Sequence, residues 1–183
     1  MRVDRANAGD AGAIANIYRP YVEESWISFE GDAPDDNEIA RRIESAGDKY
    51  PWLVVRNAKG EAAGYAYAGP HRSRYAYRTS VDVAIYMSHA VQGKGLGKRL
   101  FGTLLDILTG QNFIMAYGGI AQPNPASMAL HSAMGFEEIA RYSNVGFKQG
   151  AWRDTVWMQR PLAPSRIPPA DLLPVPGTID LRW

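Results

Sequence analysis

One stretch near the middle of the chain constrains the fold more than any other. Residues 80–87, Ser-Val-Asp-Val-Ala-Ile-Tyr-Met, are rich in β-formers and predict a strand. A turn with glycines at Gly93, Gly95 and Gly97 follows, and leucines at four-residue spacing from Leu96 predict a helix directly after it. A glycine turn that opens a helix offers free backbone N–H groups and a positive dipole end. This layout predicts a pyrophosphate site.

The spacing of the glycines separates the candidate ligands. A nucleotide P-loop has a glycine four residues before Gly-Lys and then Ser or Thr, whereas Gly97-Lys98 is followed by Arg99 and lacks that earlier glycine. A dinucleotide fingerprint is Gly-x-Gly-x-x-Gly in the first strand-to-helix unit, whereas these glycines alternate in mid-chain. Both interpretations fail. A turn that binds no ligand is the alternative that spacing leaves open.

Composition limits the classes of partner. At 183 residues and 46% hydrophobic side chains, the chain is long enough for one domain with one core. Its 20 basic and 19 acidic residues give a net charge of +1 without blocks of like charge, so we expect small-molecule partners, no nucleic acid and no membrane. The absence of cysteine excludes disulfides, thiol catalysis and thiolate metal sites. We expect no metal site and a cytoplasmic protein.

The order of predicted elements gives a mixed α/β (α+β) layered fold. We predict two helices, from Asp10 and from Asp35 or Asp36, and then a hairpin, the strand at 80–87 and the helix from Leu96. The remaining elements are a strand at 113–120, a helix at 124–134, and strands near 137–145 and 153–159.

The last residues form a separate segment. Six of the twelve prolines lie in 161–183, so this segment is predicted to be neither a regular helix nor a central strand. We predict a core domain at 1–162 and a proline-rich tail at 163–183. The tail is expected to dock on the core or on a second copy of the chain, through Ile167, Leu172, Leu173 and Trp183, and a lid over the substrate is the alternative.

The spacing that fits the turn is Gln, two residues, Gly, one residue, Gly, matched by Gln92, Gly95 and Gly97. Because it has this spacing, the region resembles the GNAT acyl-CoA N-acyltransferases. The run Asn124-Pro125-Ala126-Ser127, with Leu130-His131 and Gly135-Phe136, is similar to a second motif of that family.

Residues 1–162 resemble, more narrowly, the phosphinothricin and methionine sulfoximine N-acetyltransferases. The matching segments are 29–30, 68–70, 72–77, 81–82, 85–89, 124–127, 130–131, 146–148, 150, 152 and 154. The resemblance implies a GNAT fold, in which a central mixed, mostly antiparallel sheet is splayed at the acyl-CoA site with helices on both faces. It also implies acetyl-CoA as co-substrate and a homodimer.

Acetyl-CoA is expected to bind along the central strand, the glycine turn and the helix after it. The implied binding residues are Ile85, Tyr86, Met87, Gln92, Gly93, Lys94, Gly95, Leu96, Gly97, Lys98, Asn124 and Ser127. Backbone amides at 85–87 would polarise the thioester carbonyl. Asn124 has an alternative role as a helix cap.

Two residues are expected to carry the chemistry. Only a neutral amine attacks a thioester, so a nearby carboxylate is useful as a base. The position that holds this Glu in the resembling enzymes holds Asp82 here, one methylene shorter, and we expect it to act through a water. Pairing of Asp82 with Arg74 or Arg78 is the alternative. His131 is expected to protonate the leaving thiolate, or else to be a core histidine.

The acceptor site is predicted around a pair of arginines. In extended chain, Arg72 and Arg74 would point the same way and grip a carboxylate or phosphinate, although both could equally be solvated. The resemblance adds Phe29, with Glu30 near the substrate ammonium. It also adds Tyr75, Ala76 and Tyr77, of which the tyrosines could also be core or interface residues.

We therefore expect an acetyl-CoA dependent N-acetyltransferase that acts on the α-amino group of a small amino acid, by direct attack in a ternary complex. One alternative changes the acceptor to a polyamine, an aminoglycoside or a protein N-terminus. The other is an acyl-CoA-binding sensor without turnover.

Overall fold

The computed structural model describes residues 1–93 and 95–182, with the side chains of 180–182 left aside. Lys94 and Trp183, both named above, lie outside the described residues. In chain order the elements are β1 (Arg2–Arg5), α1 (Ala11–Glu23), α2 (Asp36–Ala46), β2 (Trp52–Arg56), β3 (Ala62–Pro70), β4 (Ser80–Met87), α3 (Leu96–Gly110), β5 (Met115–Ala121), α4 (Pro125–Ala133), β6 (Glu137–Lys148), β7 (Ala151–Pro161) and β8 (Asp180–Arg182).

One sheet of eight strands runs through the described residues in the order β6-β7-β5-β4-β3-β2-β1-β8. All neighbouring strands are antiparallel except β4 and β5. These two pair in parallel at Ser80 with Met115, Val81 with Ala116 and Asp82 with Tyr117. Beyond this point the two strands no longer pair with each other, so a cleft opens between them. The predicted mixed, mostly antiparallel sheet, splayed at this point, is confirmed.

Helices cover both faces of this sheet, because its central strands are apolar on both sides. Leu53 and Val55 of β2 pack with α3 in one core cluster. Trp52 and Val54 point the opposite way and pack with α1 and α2 in the second cluster. On α3, every fourth residue from Leu96 is buried, as its periodicity predicted.

Two short strands were not predicted. In β1 only Val3 is buried, because the other residues, Arg2, Asp4 and Arg5, carry charge, so apolar alternation is barely visible. The second, β8, has three residues and adds to the sheet edge beside β1. Elements this short give little periodic signal.

The proline-rich tail runs along the protein's own core. The Val175 amide donates to the Asp48 carbonyl at 2.7 Å, and the side chain of Val175 is buried. Leu172 packs against the main core cluster. Ile167 is fully exposed and Leu173 is half-exposed, so neither side chain anchors the tail on the core. Leu173 is held instead by its backbone, which bonds twice to Gln111.

Candidate active site

The cleft between β4 and β5 holds a cavity of about 550 Å³. Val83 and the residues after it on β4 form one wall, and β5 and α4 form the opposite wall. Ten of the twelve predicted cofactor residues line it: Ile85, Tyr86, Met87, Gln92, Gly93, Gly95, Leu96, Gly97, Asn124 and Ser127. Lys98 is exposed in the first turn of α3 and does not line the cavity. From Val83 onward, β4 has no partner strand on the cleft side, so backbone groups there are available to a ligand.

The glycine turn closes one end of the cleft. Gly93 and Gly95 have φ values of 75° and 74°, a region that other residues rarely adopt. Gly95 directly precedes α3 and provides no side-chain cap. The first N–H groups of α3 have no carbonyl partner within the helix, and the dipole there is positive. The turn therefore has the geometry of an anion site.

Helix α1 forms a wall of the cleft that the sequence had not indicated. The Tyr21 hydroxyl donates to the Met87 carbonyl at 2.6 Å and accepts from the side chain of Gln92 at 2.9 Å. Burial raises the pKa of Tyr21, so this hydroxyl keeps its proton. Tyr21 thus fastens the end of β4 and the start of the glycine turn to α1. In the sequence, Tyr21 follows Ile14, Ile17 and Tyr18 at helical spacing, which indicates only that it lies on the apolar face of α1.

Asn124 caps α4 and also faces the cleft. Its side-chain oxygen accepts from the Ser127 amide at 3.1 Å, and Pro125 occupies the first helical position. Asn124 is 9% exposed and lines the cavity. The capping role and a ligand contact are therefore compatible, as expected.

His131 is a buried and neutral member of the cleft. Its Nδ1 lies 2.9 Å from the Ser127 carbonyl, so Nδ1 carries the proton and donates it. Burial lowers the pKa of His131, opposed by this hydrogen bond. Nε2 is buried without a partner among the described residues, and it lies against Gly118. A neutral imidazole whose only N–H is engaged is a poor acid for a thiolate, so the geometry favours the core-histidine alternative.

Asp82 pairs with a residue that sequence reasoning missed. Its Oδ1 lies 2.6 Å from Nδ1 of His71, not beside Arg74 or Arg78. The carboxylate is 36% exposed and the His71 side chain 13%. Partial burial raises the pKa of Asp82, while the hydrogen bond from His71 and the charge of Arg72 oppose that rise. His71 directly follows the Gly69-Pro70 end of β3, and no spacing pattern marked it.

The predicted arginine pair does not form as expected. The chain bends at Ser73 and Arg74 and then makes a 3₁₀ turn at Tyr75–Tyr77, so the alternation of an extended strand does not apply. The Arg72 guanidinium lies 5.7 Å from the ring of Trp157 and donates to the His71 carbonyl. Residues 72–77 are all exposed. Of the two arginines, Arg72 is the one whose charge acts on Asp82.

Glu30 is occupied by another partner. Its two carboxylate oxygens accept from Arg42 at 2.8 and 2.9 Å, and Oε1 also accepts from the Tyr18 hydroxyl at 3.0 Å. The bonds from Arg42 are the main reason that the pKa of Glu30 lies below its usual value. Arg42 already neutralises this carboxylate, which weakens its attraction for a substrate ammonium, and the predicted contact stays a prediction. The ring of Phe29 packs on Gly146, and 43% of this residue is exposed.

Residues 1–93 and 95–182 contain no group of three or more His, Cys, Asp or Glu side chains that could hold a metal ion. None of the helices in the same ranges is both long enough and apolar enough to cross a membrane.

The fold and the cleft define an acyltransferase class, and comparison with known proteins identifies it. Residues 4–157 match the model of the acetyltransferase (GNAT) domain. Because this match covers most of its length, the chain belongs to the GNAT acetyltransferase family.

Named relatives narrow the type. The chain is 35% identical over 160 residues to phosphinothricin N-acetyltransferase of Streptomyces viridochromogenes, covering 87% of each chain. It is 37% identical over 166 residues to L-methionine sulfoximine/L-methionine sulfone acetyltransferase of Pseudomonas aeruginosa, covering 90% of this chain and 96% of that one. These matches confirm the narrower resemblance and make the chain an N-acetyltransferase.

A solved structure agrees with the fold. A GNAT superfamily phosphinothricin acetyltransferase from Sinorhizobium meliloti, crystallised with acetyl-CoA, superposes with a TM-score of 0.86 at 37% identity. The match covers 96% of this chain and 94% of that one.

Proposed function

We propose that the protein uses acetyl-CoA to acetylate the α-amino group of a small amino acid of the phosphinothricin, methionine sulfoximine or methionine sulfone type. The observation that carries the proposal is the position of Asp82 and Arg72. Asp82 lies where the cleft begins, and the exposed cation Arg72 is close enough to influence its ionisation. One carboxylate and one cation at a single point suit an acceptor with an amine and an acid group on neighbouring atoms.

The cleft suits acetyl-CoA as the donor. The anion site at the start of α3 fits a pyrophosphate. The unpaired edge of β4 fits the amides of a pantetheine arm, which would add to it like a strand. Since the chain has no cysteine to carry an acyl group, we expect direct attack by the amine within a ternary complex.

Two alternatives remain from the sequence. A polyamine or aminoglycoside acceptor would be expected to need carboxylates around the acceptor site, whereas Glu30 is neutralised by Arg42. A protein N-terminus would lack the acid group beside its amine that Arg72 is suited to bind. The second alternative, an acyl-CoA sensor without turnover, differs from the proposed enzyme in one readout, the release of free CoA.

Release of the CoA thiol from acetyl-CoA tests the proposal. It is measured at about pH 8, where a good fraction of an α-amine is neutral. The acceptors are phosphinothricin, methionine sulfoximine, methionine sulfone, spermidine, an aminoglycoside and a short peptide. We expect turnover with the three amino acids and far less with the others. Tight binding of acetyl-CoA without release from any amine would establish the sensor instead.

A homodimer is part of the proposal. Several large apolar side chains on β6 and β7 are exposed, namely Ile139, Tyr142, Val145, Phe147 and Trp152. An exposed set of this kind is typical of an interaction surface. A second copy of the chain is the occupant that we propose, and light scattering would measure the mass. The cytoplasmic location stays a prediction, and we further propose a role in detoxification or resistance.

A further inference from the structure

The hydrogen bond between His71 and Asp82 fixes the state of the imidazole. At 2.6 Å, a carboxylate oxygen accepts the proton that His71 carries on Nδ1. The same bond leaves Nε2 as the ring nitrogen with a free lone pair, since the partner of one nitrogen sets the state of the other. Among residues 1–93 and 95–182, no group hydrogen-bonds to Nε2.

Aromatic rings hold the imidazole in place. The ring of His71 stacks on Tyr117, with centroids 4.1 Å apart and planes 17° apart. The rings of Tyr77 and Trp157 meet its edges at 5.9 and 6.1 Å. The charged and titratable groups around it are therefore Asp82, Tyr77, Tyr117 and the nearby Arg72. A side chain with this much support has one orientation, which a proton acceptor needs.

The His71–Asp82 pair lies at the end of the cleft where β4 and β5 begin to separate. Asp82 and Tyr117 are the last paired residues before β4 and β5 separate. Along β4, Asp82 shares a face of the sheet with Ala84 and Tyr86, both of which line the cavity. Neither Asp82 nor His71 lines the cavity itself, so the pair lies where the cleft begins and not within it. The imidazole, bonded to Asp82 through Nδ1, extends the reach of this short side chain.

We propose that Asp82 acts through His71, whose Nε2 accepts the proton of the substrate ammonium. This inference rests on the proposed function. Nε2 takes one proton from the ammonium, and the freed amine forms a C–N bond with the thioester carbonyl carbon. The C–S bond then breaks, the second amine proton passes to the leaving sulfur, and His71 returns its proton to water. Asp82 holds the imidazole and stabilises its charged form.

Substitution of His71 with chemical rescue tests this assignment. His71→Ala should lower kcat by about 10² to 10⁴, and added imidazole should restore part of it, because it fits the space beside Tyr117. His71→Gln should lose the acidic limb of the pH profile of kcat/KM and keep the affinity for acetyl-CoA. Arg78→Gln is the control in the same loop, because the Arg78 guanidinium lies over the Tyr75 ring, 4.4 Å from its centroid, and not at His71 or Asp82. It should keep both the rate and its pH profile.

Three outcomes would overturn the assignment. One is an unchanged kcat/KM in folded His71→Gln, and another is an acidic limb that persists in His71→Gln but disappears in Asp82→Asn, which would make Asp82 the base. The third does not depend on turnover: ¹⁵N NMR of the wild type should show Nδ1 protonated and Nε2 bare, and the opposite tautomer contradicts the inference. A wild type that turns over no acceptor, yet has the expected tautomer, overturns the proposed function and not the geometry of the pair.

Discussion

Nδ1 of His131 donates to the backbone oxygen of Ser127, one turn earlier in α4, at 2.9 Å. This bond uses the only proton of a neutral imidazole, and the ring stays neutral because burial lowers the pKa of His131. Protonation of the ring would place a charge at Nε2, which has no partner among the described residues. The pH dependence of folding therefore depends on this residue.

The stability of the protein should fall on acidification, and His131 should cause part of the fall. The folded pKa lies below the ordinary value of 6.5, so the unfolded chain binds the proton more readily. The contribution is complete above about pH 6.5 and is lost as the pH falls from there through the folded pKa. Urea unfolding between pH 7.5 and 5 measures this effect. In His131→Gln the free energy of unfolding should fall less steeply with pH than in the wild type, and at pH 7.5 it should be about 1 to 3 kcal/mol lower. If the free energy of unfolding had the same dependence on pH in both proteins, His131 would not be the cause of the fall.

Gly118 is required by the His131 ring. A Cβ at position 118 would lie 2.8 Å from Nε2 and 2.9 Å from Cδ2, closer than real Cβ contacts. Gly118→Ala should therefore displace the His131 ring and lower the free energy of unfolding by about 1 to 3 kcal/mol. Gly110→Ala is the control, because a Cβ there meets no atom within 4 Å among the described residues. Thermal unfolding of both variants checks the difference, and equal Tm values would rule out the contact.

The cleft could be predicted because its signal is local. The strand, the glycine turn and the helix are contiguous in sequence, and ten of the predicted residues meet at one cavity. His71 could not be predicted in this way, because its partner Asp82 is 11 residues away across a loop. The Arg72 and Arg74 pair failed because it assumed extended backbone where the chain bends.

Glu30 shows a different limit. Its partner Arg42 lies in α2, and sequence patterns give no information about such long-range pairs. The family resemblance placed Glu30 near a substrate ammonium and gave no sign of Arg42. Pairs of this kind are set by tertiary packing, which also explains why the aromatic support of His71 by Tyr117 and Trp157 was not anticipated.

The hydroxyl of Tyr21 should contribute to acetyl-CoA binding. Tyr21→Phe removes the bonds to Met87 and Gln92 and so releases the wall of the cleft. We expect the Kd of acetyl-CoA to rise up to about tenfold, which corresponds to one hydrogen bond. Isothermal titration calorimetry measures it. Tyr142→Phe, on the exposed face of β6, is the control. An unchanged Kd in Tyr21→Phe would mean that the wall holds without this hydroxyl.

The Glu30 and Arg42 pair should stabilise the fold at neutral pH. Bonds from Arg42 lower the folded pKa of Glu30, so the contribution is present above the unfolded value of about 4.5 and is lost as the pH falls through the folded pKa. Arg42→Met should cost about 1 kcal/mol near pH 7, because both side chains are one-third exposed and water screens the pair. Arg41→Met, which removes a more exposed arginine of the same helix, should cost less. If the free energies of unfolding of Arg42→Met and the wild type still differed by this amount at about pH 3, the ionised Glu30 would not be the source of the stabilisation.

The charged carboxylate of Asp82 should lower the stability of the fold at neutral pH. Burial raises its folded pKa above 3.8, so its contribution is complete below about that pH and is lost as the pH rises through the folded pKa. Asp82→Asn keeps an oxygen that can accept from His71 and removes the charge. Its Tm relative to the wild type should therefore improve from about pH 4 to 7, while kcat falls because the imidazole loses its counter-charge. A variant that loses both stability and activity at neutral pH would show that the charge mainly holds the fold together.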